Sequence, residues 1–140
     1  MRLDGLYGPI SQACFDDWFT GIGKDPSRIV FSIRKNGSLE FLGYIQIVEI
    51  QATSRSAEIG IMIGEVGNRG KGYGQEALRL CAEFCWNDLN LQRLSLRIIG
   101  ENAAAMTAYQ KSGFEREGVL RRSVYRDGAF EDTTIMALLR

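Results

Sequence analysis

The chain has 140 residues, 45% of them hydrophobic and 24% charged, and its 17 basic and 17 acidic side chains cancel. That balance fits one soluble globular domain large enough to bury a core, and the lack of any basic block or stripe argues against nucleic acid as a partner. There is no histidine, which removes Ser-His-Asp and Cys-His nucleophilic machinery and the usual zinc sites together, so proton transfer has to rest on Glu, Asp, Tyr, Lys, Cys or water.

The start, "MRLDGLYGPI", has no apolar stretch of the secretory kind, and no apolar run approaches a membrane span. No membrane partner is expected, and a cytoplasmic location follows as the default. Residues 9–22, "PISQACFDDWFTGI", predict a short amphipathic helix that buries Cys14, Phe15, Trp18 and Phe19. "RIVFSIR", the turn "KNGS" and "LEFLGYIQIVEI" predict two strands joined by a hairpin at Asn36-Gly37. The polar "QATSRS" leads into "AEIGIMIGEV", a third strand rich in isoleucine.

"QEALRLCAEFCWNDL" places Ala77, Leu78, Cys81, Phe84 and Cys85 at helical spacing, with Glu76, Arg79, Glu83 and Asn87 opposite. Cys81 and Cys85 lie one turn apart and read as small core residues. With Cys14 they form no metal-type spacing, so no metal is expected. "QRLSLRII" alternates Arg93, Ser95 and Arg97 with Leu94, Leu96 and Ile98, a half-buried strand. "GENAAAMTAYQKSGF" predicts a helix capped by Asn102 and closed by Gly113. The tail, "GVLRRSVYRDGAFEDTTIMALL", predicts a hairpin turning at Asp127-Gly128. The order is helix, strands, helix, strand, helix, hairpin. It implies one α/β (α+β) domain over residues 1–140, a mixed sheet with helices on its faces.

Between the third strand and the next helix lies "GNRGKGYGQEA", residues 67–77, with four glycines in eight positions. Glycine costs entropy to order and adds no packing, so such a cluster means that the backbone itself must touch something. It runs into a helix start, whose unpaired N–H groups and partial positive charge attract phosphate. The P-loop pattern G-x-x-x-x-G-K-[ST] fails here, because Gly72 follows Gly70-Lys71 where the hydroxyl belongs and Glu65 stands at the first position. The dinucleotide fingerprint is met by Gly72-Tyr73-Gly74-Gln75-Glu76-Ala77, but eight residues separate it from Ile63 where it should follow its strand at once. The acidic Glu101 also lies farther on than the usual spacing of about 20 residues.

The pattern that fits is [QR]-x-x-G-x-[GA], as Arg69-Gly70-Lys71-Gly72-Tyr73-Gly74. A second segment, "ENAAAMTAYQKSGFEREG", satisfies N-x-x-A-x-x-x-Y-x-K-x-G-F with Asn102, Ala105, Tyr109, Lys111, Gly113 and Phe114. With these two segments, one helix and one strand apart, the chain resembles the GNAT superfamily of N-acetyltransferases over roughly residues 28 to 140. Its tail looks most like the branch holding ribosomal-protein N-terminal acetyltransferases and spermidine acetyltransferase. The resemblance implies a mixed, mostly antiparallel central sheet flanked by helices. It implies too a shortened N-terminus, since such proteins normally begin with an extra strand and helix ahead of residues 9–22.

What the resemblance implies for chemistry is acetyl transfer from acetyl-CoA to a primary amine, by direct attack in a ternary complex. The acceptor would be a protein N-terminus, a polyamine or an aminosugar, and a homodimer is left open. N–H groups from Arg69, Gly70, Lys71, Gly72, Tyr73 and Gly74 would hold the pyrophosphate, with added charge from Arg69 and Lys71. Backbone groups of Ile61, Met62 and Ile63 would meet the pantetheine arm and the thioester carbonyl, and Asn102 would face the cofactor. Glu58 is the candidate base for the protonated amine, directly or through water. It resembles in its spacing to the loop the glutamate base of the histone-acetyltransferase branch. Tyr109 is the candidate acid; reference pKa values of roughly 8.5 for a thiol and 10 for a phenol let it protonate a departing thiolate. Bland readings stand beside these: an exposed edge glutamate, a core tyrosine, a purely structural cap. At the level of function, a non-catalytic acyl-CoA sensor and an NAD-binding module are the alternatives.

Overall fold

The computed structural model describes residues 24–38, 40–64 and 71–140. The helix expected over residues 9–22, with Cys14, lies outside the described residues, as do Arg69 and Gly70 of the glycine loop. Six strands and two helices follow one another as β1 Ile29–Arg34, β2 Phe41–Gln51, β3 Ser56–Ile63, α1 Tyr73–Asn87, β4 Arg93–Ile99, α2 Ala103–Lys111, β5 Glu115–Arg126 and β6 Ala129–Leu139.

The strands form one sheet in the order β1-β2-β3-β4-β6-β5. Both predicted hairpins are present. β1 and β2 are joined across residues 35–40, where the Lys35 N–H donates to the Glu40 carbonyl at 2.9 Å and Gly37 takes a φ of 88°. β5 and β6 turn at Asp127 and Gly128, with φ of 53° and 82°, as a type I′ turn demands. The one parallel contact is β3 with β4. Parallel neighbours need a long crossover, and α1 supplies it.

One face of the sheet is apolar because Ile45, Ile47, Ala57, Ile59, Leu94, Leu96 and Met136 fall at alternate strand positions. Against it α1 packs Leu78, Cys81, Ala82 and Cys85. The two cysteines are core residues, as their spacing suggested. Their mutual hydrogen bond, reinforced by burial, pushes the Cys81 thiol well above its ordinary range. Removing a side chain such as Leu94, fully buried here, would cost about 2–5 kcal/mol.

Helix α2 starts as predicted: Asn102 Oδ1 accepts from the Ala105 N–H at 3.0 Å. It ends at Ser112, followed by Gly113 at a φ of 93°. None of its residues is fully buried, although Met106 and Tyr109 pack against the core. Among the described residues no helix is long and apolar enough to cross a membrane.

Candidate active site

β3 and β4 stay paired for three residues only, Ser56 with Arg93, Ala57 with Leu94 and Glu58 with Ser95. Beyond Glu58 they part, although β3 runs on to Ile63 and β4 to Ile99. From Ile59 to Ile63 one edge of β3 has no ladder partner among the described residues, while its other edge stays on β2 through Gly43↔Ile63 to Ile47↔Ile59. An alternating row of backbone groups is thus left for an extended ligand to meet, the way a sheet edge takes an added strand. Gly43 makes this geometry possible, since a Cβ there would lie 1.9 Å from the Met62 carbonyl oxygen.

A cavity of about 530 Å³ occupies the fork. Glu58, Ile61, Asn102 and Tyr109, each singled out from the sequence, line it together. Met62 and Ile63 lie further along the unpaired edge. Helix α1 begins beside the same strand: a Cβ on Gly74 would stand 3.8 Å from Ile61 Cδ1. Gly72 precedes it with a φ of 84°, and no side chain caps the helix. The first-turn N–H groups of a 15-residue helix are therefore left for another acceptor, which suits a pyrophosphate. Lys71 is exposed next to them, whereas Tyr73 is among the residues that line a different groove. Only the backbone of Tyr73 serves the phosphate reading.

Glu58 is half-buried, with its side chain 22% exposed, and its Oε2 accepts from Arg97 Nε at 3.2 Å. Tyr109 is half-buried, with its ring tilted on Phe114 at 6.2 Å between centroids. Among the lining residues that sequence reasoning did not single out as site residues are Gln46, Glu49, Arg97 and Arg126. Arg97 stands on the polar side of "QRLSLRII", a position that does not by itself tell a cavity from solvent. Glu49 gave no signal, because it is aimed by an irregularity in β2 between Val48 and Gln51, where its own φ is 52°. Gln46 lies across Gly60, its β3 register partner, where a Cβ would come within 2.9 Å of Gln46 Nε2. Its buried Oε1 has no hydrogen-bond partner among the described residues. Arg126 is held by Glu131 at 2.7 Å.

A second groove of about 610 Å³ runs between β1 and α1, lined by Phe31, Ile33, Leu42, Leu80 and Phe84 among others. It is larger but mostly apolar, and it holds neither Glu58 nor Tyr109. The chemistry is assigned to the fork.

Comparison with known proteins agrees with this geometry. The Acetyltransferase (GNAT) domain family matches residues 1–115. The spermidine N(1)-acetyltransferase of Escherichia coli is 31% identical over 116 residues, which cover 83% of this chain and 61% of that protein. A probable N-acetyltransferase, YjcK, of Bacillus subtilis is 30% identical over 99 residues, 70% of this chain and 54% of its own. The chain thus spans less than two thirds of the length of either relative. The crystal structure of spermidine N-acetyltransferase from Vibrio cholerae in complex with CoA and spermine superposes with a TM-score of 0.85 at 24% identity, covering 94% of this chain and 76% of that one. A forked sheet, a glycine-started helix beside the fork and the extent of the family match lead to one conclusion: the chain belongs to the GNAT acetyltransferase family.

Proposed function

We propose that the chain transfers the acetyl group of acetyl-CoA directly to a primary amine. The observation that carries this reading is the meeting of Glu58 and Tyr109 in one cavity at the strand fork. The donor fits the chain's own features. The free N–H groups at the start of α1 suit its pyrophosphate, and the unpaired edge of β3 suits its pantetheine arm.

When bound, acetyl-CoA supplies an acyl group on a thiol leaving group. The chain's part is to orient and to move protons. Backbone N–H groups on the free edge of β3 polarise the carbonyl. Glu58 takes a proton from the incoming ammonium, which makes the nitrogen nucleophilic, and Tyr109 returns one to the departing sulfur. The nitrogen–carbon bond forms as the carbon–sulfur bond breaks, the nitrogen's second proton restores the Tyr109 phenol, and no covalent enzyme species is needed. Cys81 and Cys85 are buried under α1, on the core side of the sheet, and take no part.

The single test is release of free thiol from acetyl-CoA over a panel of polyamines, aminosugars and N-terminal peptides. Turnover on at least one amine is expected. A non-catalytic acyl-CoA sensor is the second reading, favoured by the Arg97 guanidinium that already engages Glu58. Binding of acetyl-CoA with no thiol release on any amine would establish the sensor.

A further inference from the structure

The described residues around the fork cavity carry two carboxylates, Glu49 and Glu58, and two guanidinium groups, Arg97 and Arg126. A polyamine is a chain of cations and is best met by several carboxylates with no competing positive charge. Arg126 is already paired with Glu131, so the competing positive charge here is that of Arg97. At the cavity's reacting end that charge is local, because Glu58 Oε2 and Arg97 Nε lie 3.2 Å apart.

Two groups in that region have polar atoms with no partner among the described residues. Arg97 spends only Nε on Glu58, so its two terminal nitrogens have no partner among the described residues, and the side chain is 51% exposed. The buried Gln46 Oε1 has no donor. A buried acceptor without a donor is uncommon enough in a folded protein to point to a ligand N–H or an ordered water. The site therefore presents an anion and a neutral acceptor next to a guanidinium fork. An α-amino acid presents the complement, an ammonium next to a carboxylate.

We propose that the acceptor is a free α-amino acid, with its amino group between Glu58 and the Gln46 carboxamide oxygen and its carboxylate on the terminal nitrogens of Arg97. The proposal rests on the acetyl-transfer reading of the same cavity and names its substrate class. Planar two-point binding of a carboxylate is what a guanidinium does best. Val48, Ile61, Ile99 and Val124 add apolar lining that suits an aliphatic side chain. In the reaction one ammonium proton passes to Glu58 and the amino nitrogen bonds to the acetyl carbon. The carbon–sulfur bond breaks as the sulfur takes a proton from Tyr109, and the second proton shed by the nitrogen as the amide forms restores the Tyr109 phenol. The products are an N-acetyl amino acid and free coenzyme A.

The test uses matched acceptors that differ only at the carboxylate: leucine, leucinamide and isoamylamine, with spermidine and glucosamine beside them. Thiol release is measured at saturating acetyl-CoA in the intact chain, Arg97→Met and Arg97→Lys. In the intact chain kcat/KM for leucine should exceed that for leucinamide and isoamylamine by about 10-fold or more. Arg97→Met should bring that ratio close to one, mainly through KM, and Arg97→Lys should restore part of it. A residue that merely braces Glu58 would alter all three acceptors alike and leave the ratio unchanged, which would overturn the proposal. Turnover confined to spermidine, glucosamine or acceptors lacking the carboxylate would overturn it too, while leaving acetyl transfer intact. Acetyl-CoA binding without turnover on any amine would overturn both.

Discussion

Glu58 and Arg97 meet where the β3/β4 ladder ends, the carboxylate from its last paired residue and the guanidinium from two residues further along β4. The pair sets a half-buried carboxylate beside a cation. It also obliges an incoming ammonium to share Glu58 with Arg97. Glu58→Gln keeps the shape and removes the base, so kcat/KM should fall by about 10²-fold or more. Raising the pH should return part of the rate by supplying neutral amine. Stability should change by no more than about 1 kcal/mol, since the pair is partly solvated. A variant that matches the parent across the pH range would show that Glu58 is structural.

Tyr109 lies two turns into α2, which Asn102 starts and Gly113 ends. Its ring contributes to packing through Phe114, and Tyr109→Phe preserves that contact. Turnover should drop by about 10- to 10³-fold, with coenzyme A affinity little changed, because thiolate departure loses its proton donor. Steady-state kinetics with calorimetry of coenzyme A binding separates this from a packing role, in which kcat would be untouched.

Gly72 and Gly74 can be told apart by structure. At Gly72 a Cβ would meet nothing within 4 Å, but the φ of 84° is left-handed. Gly72→Val should cost roughly 1–2 kcal/mol of stability for that φ. It should also weaken coenzyme A binding about 10-fold or more by blocking close approach to the phosphates. Gly74→Ala is the control. Its Cβ would stand 3.8 Å from Ile61 Cδ1, an ordinary contact, and the loop pattern admits alanine there. Equal calorimetric affinities for the two variants would remove the pyrophosphate from this loop.

Gly43 is the residue on which the close approach of β2 to β3 depends. A Cβ there would lie 1.9 Å from the Met62 carbonyl oxygen and 2.9 Å from Ile63 Cα, both backbone atoms of β3 that cannot swing away. Gly43→Ala should destabilise the fold by about 1–3 kcal/mol or more in a denaturant titration. It should also disturb donor binding, because the displaced segment is the unpaired edge. Gly118→Ala, where nothing lies within 4 Å, should be close to neutral. Matching midpoints for the two variants would contradict the packing of β2 on β3.

Much of this was legible locally. Alternation and helical spacing located the strands and helices, and the caps and turns announced themselves: Asn102 and Gly113 around α2, and Asp127-Gly128 in the last hairpin. Those features depend on neighbours within a few residues, and the sequence carries them in full. The two family patterns likewise marked Gly72, Gly74, Asn102 and Tyr109 before any fold was known. Gln46, Glu49, Arg97 and Arg126 were not marked, because nothing in their local context distinguishes a surface polar residue from one that lines a cavity.

By itself, then, the amino-acid sequence determined the strands and helices among the described residues, the turn at each hairpin, the glycine-started helix and the membership of the GNAT family. Only the tertiary structure decided that β3 and β4 separate after Glu58, and that residues from β2, β3, β4, α2 and β5 line one cavity. The reason is physical. A strand's alternation says which of its residues share a face, but not how far its ladder continues. Pairing depends on backbone groups that every residue possesses, and where it stops is set by the packing of the whole sheet. The Glu58–Arg97 contact, formed between residues 39 positions apart in the chain, exists only once that fork has opened.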